Sequence, residues 1–332
     1  MDDLDIAIDK SPYARRDSRK QRIIIGVCVV VGLALALGLG IGLGNKHSGG
    51  DSGSNSSPTS SPTASSLPSP ASLWQPAVNA SWQIILNQTL NIDSKDPAIK
   101  PDVEIFDIDM FTHQNTSVVS DLHRLGKKVI CYFSAGSYEP YRPDSHLFNE
   151  SDLGNPMDDW PDEIWLNISS PSVREIMAAR INIAHGMGCD AIDPDNLDGY
   201  QHNNGLDLTS LESIDYITFL AEKANAKRMS AGLKNAGDII TNVLPLVQFS
   251  VNEECVKYTE CSVFSSFIKA GKPVFHIEYP EGAPSDVTTQ SSRKLCSAPG
   301  IASFSTVLKT KSLDNWVEYC NGQVAMTSVT DG

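Results

Sequence analysis

The chain lacks several signatures that would assign its chemistry directly. No Gly-rich phosphate loop follows the first strand-like segment, which argues against an open dinucleotide-binding sheet. Gly-x-Ser-x-Gly is absent. Ser134, in Phe133-Ser134-Ala135-Gly136-Ser137, resembles a nucleophile turn only in outline, so a serine hydrolase is not expected. There is no Cys-x-x-Cys, and the cysteines show no zinc spacing. His123, His146, His185, His202 and His276 lack ligand spacing and are expected on helix surfaces or in loops. Basic residues are few, 26 Lys and Arg against 40 Asp and Glu, which excludes nucleic acid as an expected partner.

What is present divides the chain into four parts. Residues 1–22 are a polar tail. Ile23 to Gly44 is a run without charge, rich in Ile, Val, Leu and Gly, and long enough to span a bilayer. It exceeds the ~7–15 residue core of a cleavable signal peptide, the competing assignment. Lys10, Arg15, Arg16, Arg19, Lys20 and Arg22 precede it, so the tail is expected in the cytosol and the bulk of the chain outside. The expectation is a single-pass type II membrane protein, with the C-terminal region extracellular or lumenal. Residues 45–72 are mostly Ser, Pro, Thr, Gly and Asn, too polar to fold, and read as a stalk open to cleavage that would shed the domain. Residues 73–332 match one large domain, expected as a monomer. Sequons at Asn55, Asn79, Asn87, Asn115, Asn149 and Asn167 fit a secreted surface. Six cysteines lie beyond the apolar run. Cys255 with Cys261 and Cys296 with Cys320 are expected as disulfides, while Cys131 and Cys189 are a pair or buried free thiols.

Eight strand-like segments follow in order: Trp82–Leu86, Val103–Met110, Lys128–Ala135, Asp190–Asn196, Met229–Asn235, Leu246–Glu253, Pro273–Tyr279 and Ile301–Leu308. Helical patterns separate most of them, at Thr116–Leu125, Ser172–His185, Thr209–Ala226 and Cys261–Ala270. Thr209 and Glu212 have the spacing of a capping box. Alternating strand and helix predicts an α/β fold, a (β/α)8 TIM barrel, with a doubly wound sheet as the alternative.

Barrel enzymes work at the C-terminal ends of their strands. Polar residues end almost every segment here: Asp107 and Asp109, Tyr132 and Ser134, Asp193, Asp195 and Asn196, Lys234 and Asn235, Asn252 and Glu253, Glu278 and Tyr279. The stretch Cys189–Tyr200, CDAIDPDNLDGY, runs from an apolar strand into three aspartates. That many carboxylates at a strand end are costly unless a ligand or a proton transfer uses them. Carboxylates from the fourth and sixth strands would meet across the mouth, as a glycosidase requires. The structural alternative is that Asp193, Asp195 and Glu253 cap helices or bind Lys234 in a buried salt bridge. Asp107 and Asp109, two apart on one strand, are a sugar clamp, a barrel element or a metal pair, and no metal or other cofactor is expected. Trp160 and Trp165 either stack on sugar or pack in the core.

Six motifs in order carry a family resemblance: CYFSAGSYEPYRPD (131–144), DDWPDEIWLNI (158–168), GCDAIDPDNLDGY (188–200), GLKNA (232–236), VNEEC (251–255) and PVFHIEY (273–279). Over roughly residues 80–310 the chain resembles glycoside hydrolase family 114, endo-α-1,4-polygalactosaminidases with a (β/α)8 barrel. The apolar run and stalk resemble the fungal, membrane-anchored members acting on galactosaminogalactan. The resemblance implies an endo-hydrolase of α-1,4-linked galactosamine, with retention. It matches the fourth-strand aspartate to Asp195, as nucleophile, and the sixth-strand glutamate to Glu253, as acid/base; Asp193 stands in the same motif and competes for the first role. Tyr132, Ser134, Asp193, Asn196, Lys234, Asn252 and Tyr279 are then candidate substrate contacts, and Asp107, Asp109 and Glu278 candidate partners of substrate amino groups. A cationic galactosamine-containing polysaccharide suits the residues after 22, whose 20 basic and 35 acidic groups leave a net charge of −15. Two other classes compete: a catalytically silent carbohydrate-binding barrel, and a metal-dependent hydrolase using Asp107 and Asp109.

Overall fold

The computed structural model describes residues 73–330, except Ser94, Asp96 and Pro97. The expected cytosolic tail, membrane anchor and stalk lie outside the described residues. Among the described residues, no helix is long and apolar enough to cross a membrane.

Eight parallel strands form in chain order: Trp82–Ile85, Ile105–Asp109, Lys128–Ser134, Ala191–Asp195, Ser230–Lys234, Phe249–Glu253, Val274–Glu278 and Ser305–Leu308. Each pairs with the next, so sequence order and spatial order coincide. Side chains alternate between two cores. Inside lie Trp82, Ile84, Ile105, Ile130, Phe249, Val251, Phe275 and Ile277. Outside, Phe106, Ile108, Val129, Cys131, Ile192 and Leu233 face the helices. The interior fits tightly: a Cβ on Gly232 would stand 2.4 Å from the Phe249 ring.

Helices arise where apolar periodicity meets a cap. Ser210–Ala226 opens on Thr209, whose hydroxyl accepts from the Glu212 amide while the Glu212 carboxylate accepts from the Thr209 amide. Pro171–Met187 starts with proline, whose missing N–H costs nothing in a first turn. All three disulfides are present, Cys131–Cys189 included.

The barrel departs from eight regular units. The described part of the first crossover has no helix, and after the eighth strand the chain turns back as two antiparallel strands, Trp316–Tyr319 and Val324–Met326. No ladder joins the first strand to the eighth. The sheet curls closed through side chains instead: Trp82 Nε1 donates to Ser305 O at 2.7 Å, Ser305 Oγ to Ala80 O at 2.7 Å, and Lys309 Nζ to Gln83 Oε1 at 3.1 Å. A second sheet of three short strands, Ser137–Tyr138, Leu153–Pro156 and Ile164–Leu166, is inserted after the third barrel strand, beside the open end.

His276 differs from the sequence expectation. It is fully buried on the seventh strand, bonded through Nδ1 to Thr306 and through Nε2 to Glu278. Its neighbours Phe275 and Ile277 point inward, so alternation sends His276 to the helix side.

Candidate active site

The chain turns sharply at three successive strand ends. Asn196, Asn235 and Glu254, each directly after a strand's last residue, have φ of 61, 49 and 59°. This left-handed geometry costs a non-glycine residue about 1–2 kcal/mol, and such strain gathers where a site requires it. It bends the backbone away and leaves Asp195, Lys234 and Glu253 facing one another. At the same rim, Gly136 lies so close to the fourth strand that a Cβ would stand 1.7 Å from Asn196 O.

Lys234 Nζ sits between the two carboxylates, 3.2 Å from Asp195 Oδ2 and 3.4 Å from Glu253 Oε2. Those oxygens are therefore no farther apart than the sum of the two distances. The carboxylates are two strands apart on one side of the mouth rather than opposite, and they converge on the lysine of the strand between. Tyr132 donates to Asp195 Oδ2 at 2.9 Å, the Asn196 amide donates to Oδ1 at 2.8 Å, and Tyr279 donates a short bond to Glu253 Oε1. Asn235 accepts from the Glu253 amide at 2.9 Å and its Nδ2 reaches the Glu253 carboxylate at 3.4 Å. Burial raises both tyrosines well above their ordinary range, and the carboxylates they face add to it, so they stay protonated donors. Burial opposes the Lys234 charge, but Asp195, Glu253, Asp193 and Asp107 together hold its pKa well above the usual value. The side chains of Asp195 and Glu253 remain 15% and 24% exposed, whereas Lys234 is 1% exposed.

The other candidates separate by depth and by face. Asp107 and Asp193 lie inside the barrel, fully buried beneath Asp195. Ser134 and Asn196 buttress the rim: Asn196 Nδ2 donates to Ser134 Oγ at 2.9 Å and to Ser137 Oγ at 3.2 Å. Asp109 accepts two bonds from Arg142, at 3.0 and 2.6 Å, and caps a short helix through the Thr112 amide at 2.7 Å. That engagement keeps it from joining Asp107 around a metal. Asn252 and Glu278 are on the helix side of their strands. Asn252 bonds Asn235, and Glu278 accepts from the Val256 amide at 2.8 Å and faces His276 at 3.0 Å. Among the described residues, the group compact enough to hold a metal is Cys255, Cys261 and His276, but those two sulfurs are joined in a disulfide.

The inserted sheet supplies groups that strand-end reasoning missed. Ser137 Oγ donates to Glu163 Oε2 at 2.6 Å, and Tyr141 hydrogen-bonds Glu139 at 3.0 Å. Arg142 also pairs with Glu139, at 2.7 Å, and Arg180 with Asp144, at 2.8 Å. Glu139, Tyr141, Arg142 and Glu163 belong to the motifs YEPYR and DDWPDE, whose alternating charge and aromatic pattern was the available signal. Trp165 is buried, stacked on His202, whereas Trp160 and Tyr141 are 53% and 64% exposed at the lip. Burial, with Glu139 and Asp195 nearby, pushes Glu163 up to about 7 against its bonds from Ser137 and Tyr141. A carboxyl raised in the fold binds protons more tightly there than when unfolded. Its contribution to stability is full below about 4.5 and is lost as pH rises through about 7. Glu163→Gln should therefore flatten the fall in melting temperature between those limits. An unchanged slope in a melting series across pH would refute this.

An α/β barrel that brings two carboxylates together at its open end is the architecture of a glycoside hydrolase. A family model described as glycoside-hydrolase family GH114 matches residues 63–325, and the chain belongs to that family. It is a glycosidase. The crystal structure of Aspergillus fumigatus Ega3 in complex with galactosamine is 52% identical, with a TM-score of 0.70 over 74% of this chain and 97% of that one. The glycoside hydrolase domain of PelA from Pseudomonas aeruginosa is 12% identical, with a TM-score of 0.54 over 75% of this chain and 99% of that one; it shares the fold. No curated protein sequence matched.

Proposed function

We propose that this chain is a retaining endo-α-1,4-polygalactosaminidase, with Asp195 as nucleophile and Glu253 as acid/base. The observation that carries the reading is the convergence of Asp195 and Glu253, both still exposed to solvent, at the barrel mouth, supported by the likeness to Ega3, whose crystal structure is a complex with galactosamine. Asp195 is oriented by donors from Tyr132, Lys234 and the Asn196 amide. It attacks the anomeric carbon while the Glu253 carboxylic acid gives its proton to the departing glycosidic oxygen. Glu253, now a carboxylate, takes a proton from water; the water oxygen bonds to the anomeric carbon and Asp195 is released. The ceiling that Lys234 imposes on the two nearest oxygens falls at the lower edge of the about 6.5–9.5 Å that inversion needs and admits the about 5–5.5 Å of retention. Asp195 fits the first role better than Asp193, which lies a layer deeper with no exposed surface.

A polycationic galactosamine chain suits the lip. Asp158, Asp159, Asp162 and Glu163 surround the exposed Trp160, with Tyr141 alongside, pairing carboxylates for ammonium groups with rings for sugar faces. On the sequence evidence, the domain works outside the cytosol, tethered by the apolar run and stalk. The test is digestion of a partially deacetylated α-1,4-galactosamine polymer by the full-length protein, read by mass spectrometry. Internal cleavage to oligosaccharides is expected. Binding without cleavage would favour the silent carbohydrate-binding barrel.

A further inference from the structure

Four buried oxygens have no part in this chemistry. Asp107 on the second strand and Asp193 on the fourth are fully buried beneath the catalytic pair, and none of their carboxylate oxygens has a hydrogen-bond donor. Lys234 is within ion-pair distance of Asp195 and Glu253 but of neither deeper aspartate. A buried carboxylate with no donor costs several kcal/mol, and two facing each other do not both ionise. Asp107 and Asp193 interact directly with one another, and Lys234, Asp195 and Glu253 are the charged groups that face them. Burial raises both carboxyls.

We propose that Asp107 and Asp193 form an acid pair sharing one proton, whose single remaining negative charge positions the Lys234 ammonium midway between the reacting carboxylates. They are positioning residues, since neither reaches the mouth. The proposal rests on Asp195 and Glu253 being that reacting pair. When the Asp195–sugar bond forms, Asp195 loses its charge; when the proton leaves for the glycosidic oxygen, Glu253 gains one. The shared proton is not consumed, so the charge around Lys234 is the same before and after. A doubly ionised pair would draw the ammonium inward. A doubly protonated one would leave it to the reacting carboxylates alone.

In Asp107→Asn or Asp193→Asn, an amide N–H replaces the shared proton and one negative charge remains. Each single amide should hold kcat within about fivefold of the parent, and Asp107→Ala should fall well below Asp107→Asn. The double variant Asp107→Asn/Asp193→Asn has lost the charge, and its kcat should fall about a hundredfold with KM little changed. If the role were only structural, two amides would satisfy each other and the double variant would match the singles. Infrared spectra of the full-length protein labelled with ¹³C-aspartate should show one protonated aspartate at neutral pH. That signal should be absent in either single amide and present in Asp195→Asn. No protonated aspartate in the parent, or a double variant as active as the singles, overturns the proposal. An inactive parent would instead sink the glycosidase reading, while the infrared signal would still decide the acid pair.

Discussion

Asp195→Asn should lower kcat on the galactosamine polymer by about 10³-fold or more, with the variant still folded. Its carboxylate accepts from Tyr132, Lys234 and the Asn196 amide and retains 15% side-chain exposure at the mouth, so it is both oriented and reachable. The amide keeps the size and loses the nucleophile. Glu253→Gln should fall by about 10²–10⁴-fold, the usual worth of a general acid, and less on a substrate whose leaving group needs no proton. Azide should restore turnover in Glu253→Gln and yield a glycosyl azide of retained configuration, because an anionic nucleophile needs no general base. Activity within tenfold of the parent for either variant would move the catalytic carboxylates elsewhere on the rim.

The second large effect is on stability. Lys234→Met should cost about 3–5 kcal/mol, the usual penalty for removing one partner of a buried ion pair. Lys234 is 1% exposed and is the cation acting on Asp107, Asp193, Asp195 and Glu253 together. Without it the cluster keeps its proton-deficient carboxyls and loses their counterion. The variant should unfold at lower urea and recover part of the loss at acidic pH, where the carboxyls protonate. A loss under about 1 kcal/mol would mean that the cluster is solvated and that Lys234 does not organise it.

The barrel was legible because its strands are long enough to show a pattern. Each of the eight segments read from apolar runs contains the observed strand, and Thr209 with Glu212 forms the expected capping box. The inserted sheet was not legible, because strands of two to four residues carry too little alternation to register. The terminal hairpin was missed for the same reason, and with it the side-chain closure of the barrel. The rule that polar groups gather at strand ends named Asp195, Glu253, Lys234, Tyr132 and Tyr279, which the fold brings together at the mouth. It gives no face, however. Asn252 and Glu278 are one residue out of phase with Glu253 and Tyr279, so they point to the helices. Counting in twos from the inward Phe249 and Phe275 separates the two sets. Asp109 is in phase but diverted by Arg142, whose approach depends on a loop that no local pattern describes.

The most direct test of the account is capture of the covalent intermediate. Glu253→Gln would be incubated with a galactosamine oligosaccharide fluoride, which needs no acid to depart but leaves an intermediate that is slow to hydrolyse. The expected result is a protein heavier by the oligosaccharide less its fluoride, with the added mass on the peptide carrying Asp195. Added mass on the Asp193 side of that peptide or on another carboxylate, or fluoride release with inversion and no labelled protein, would contradict it.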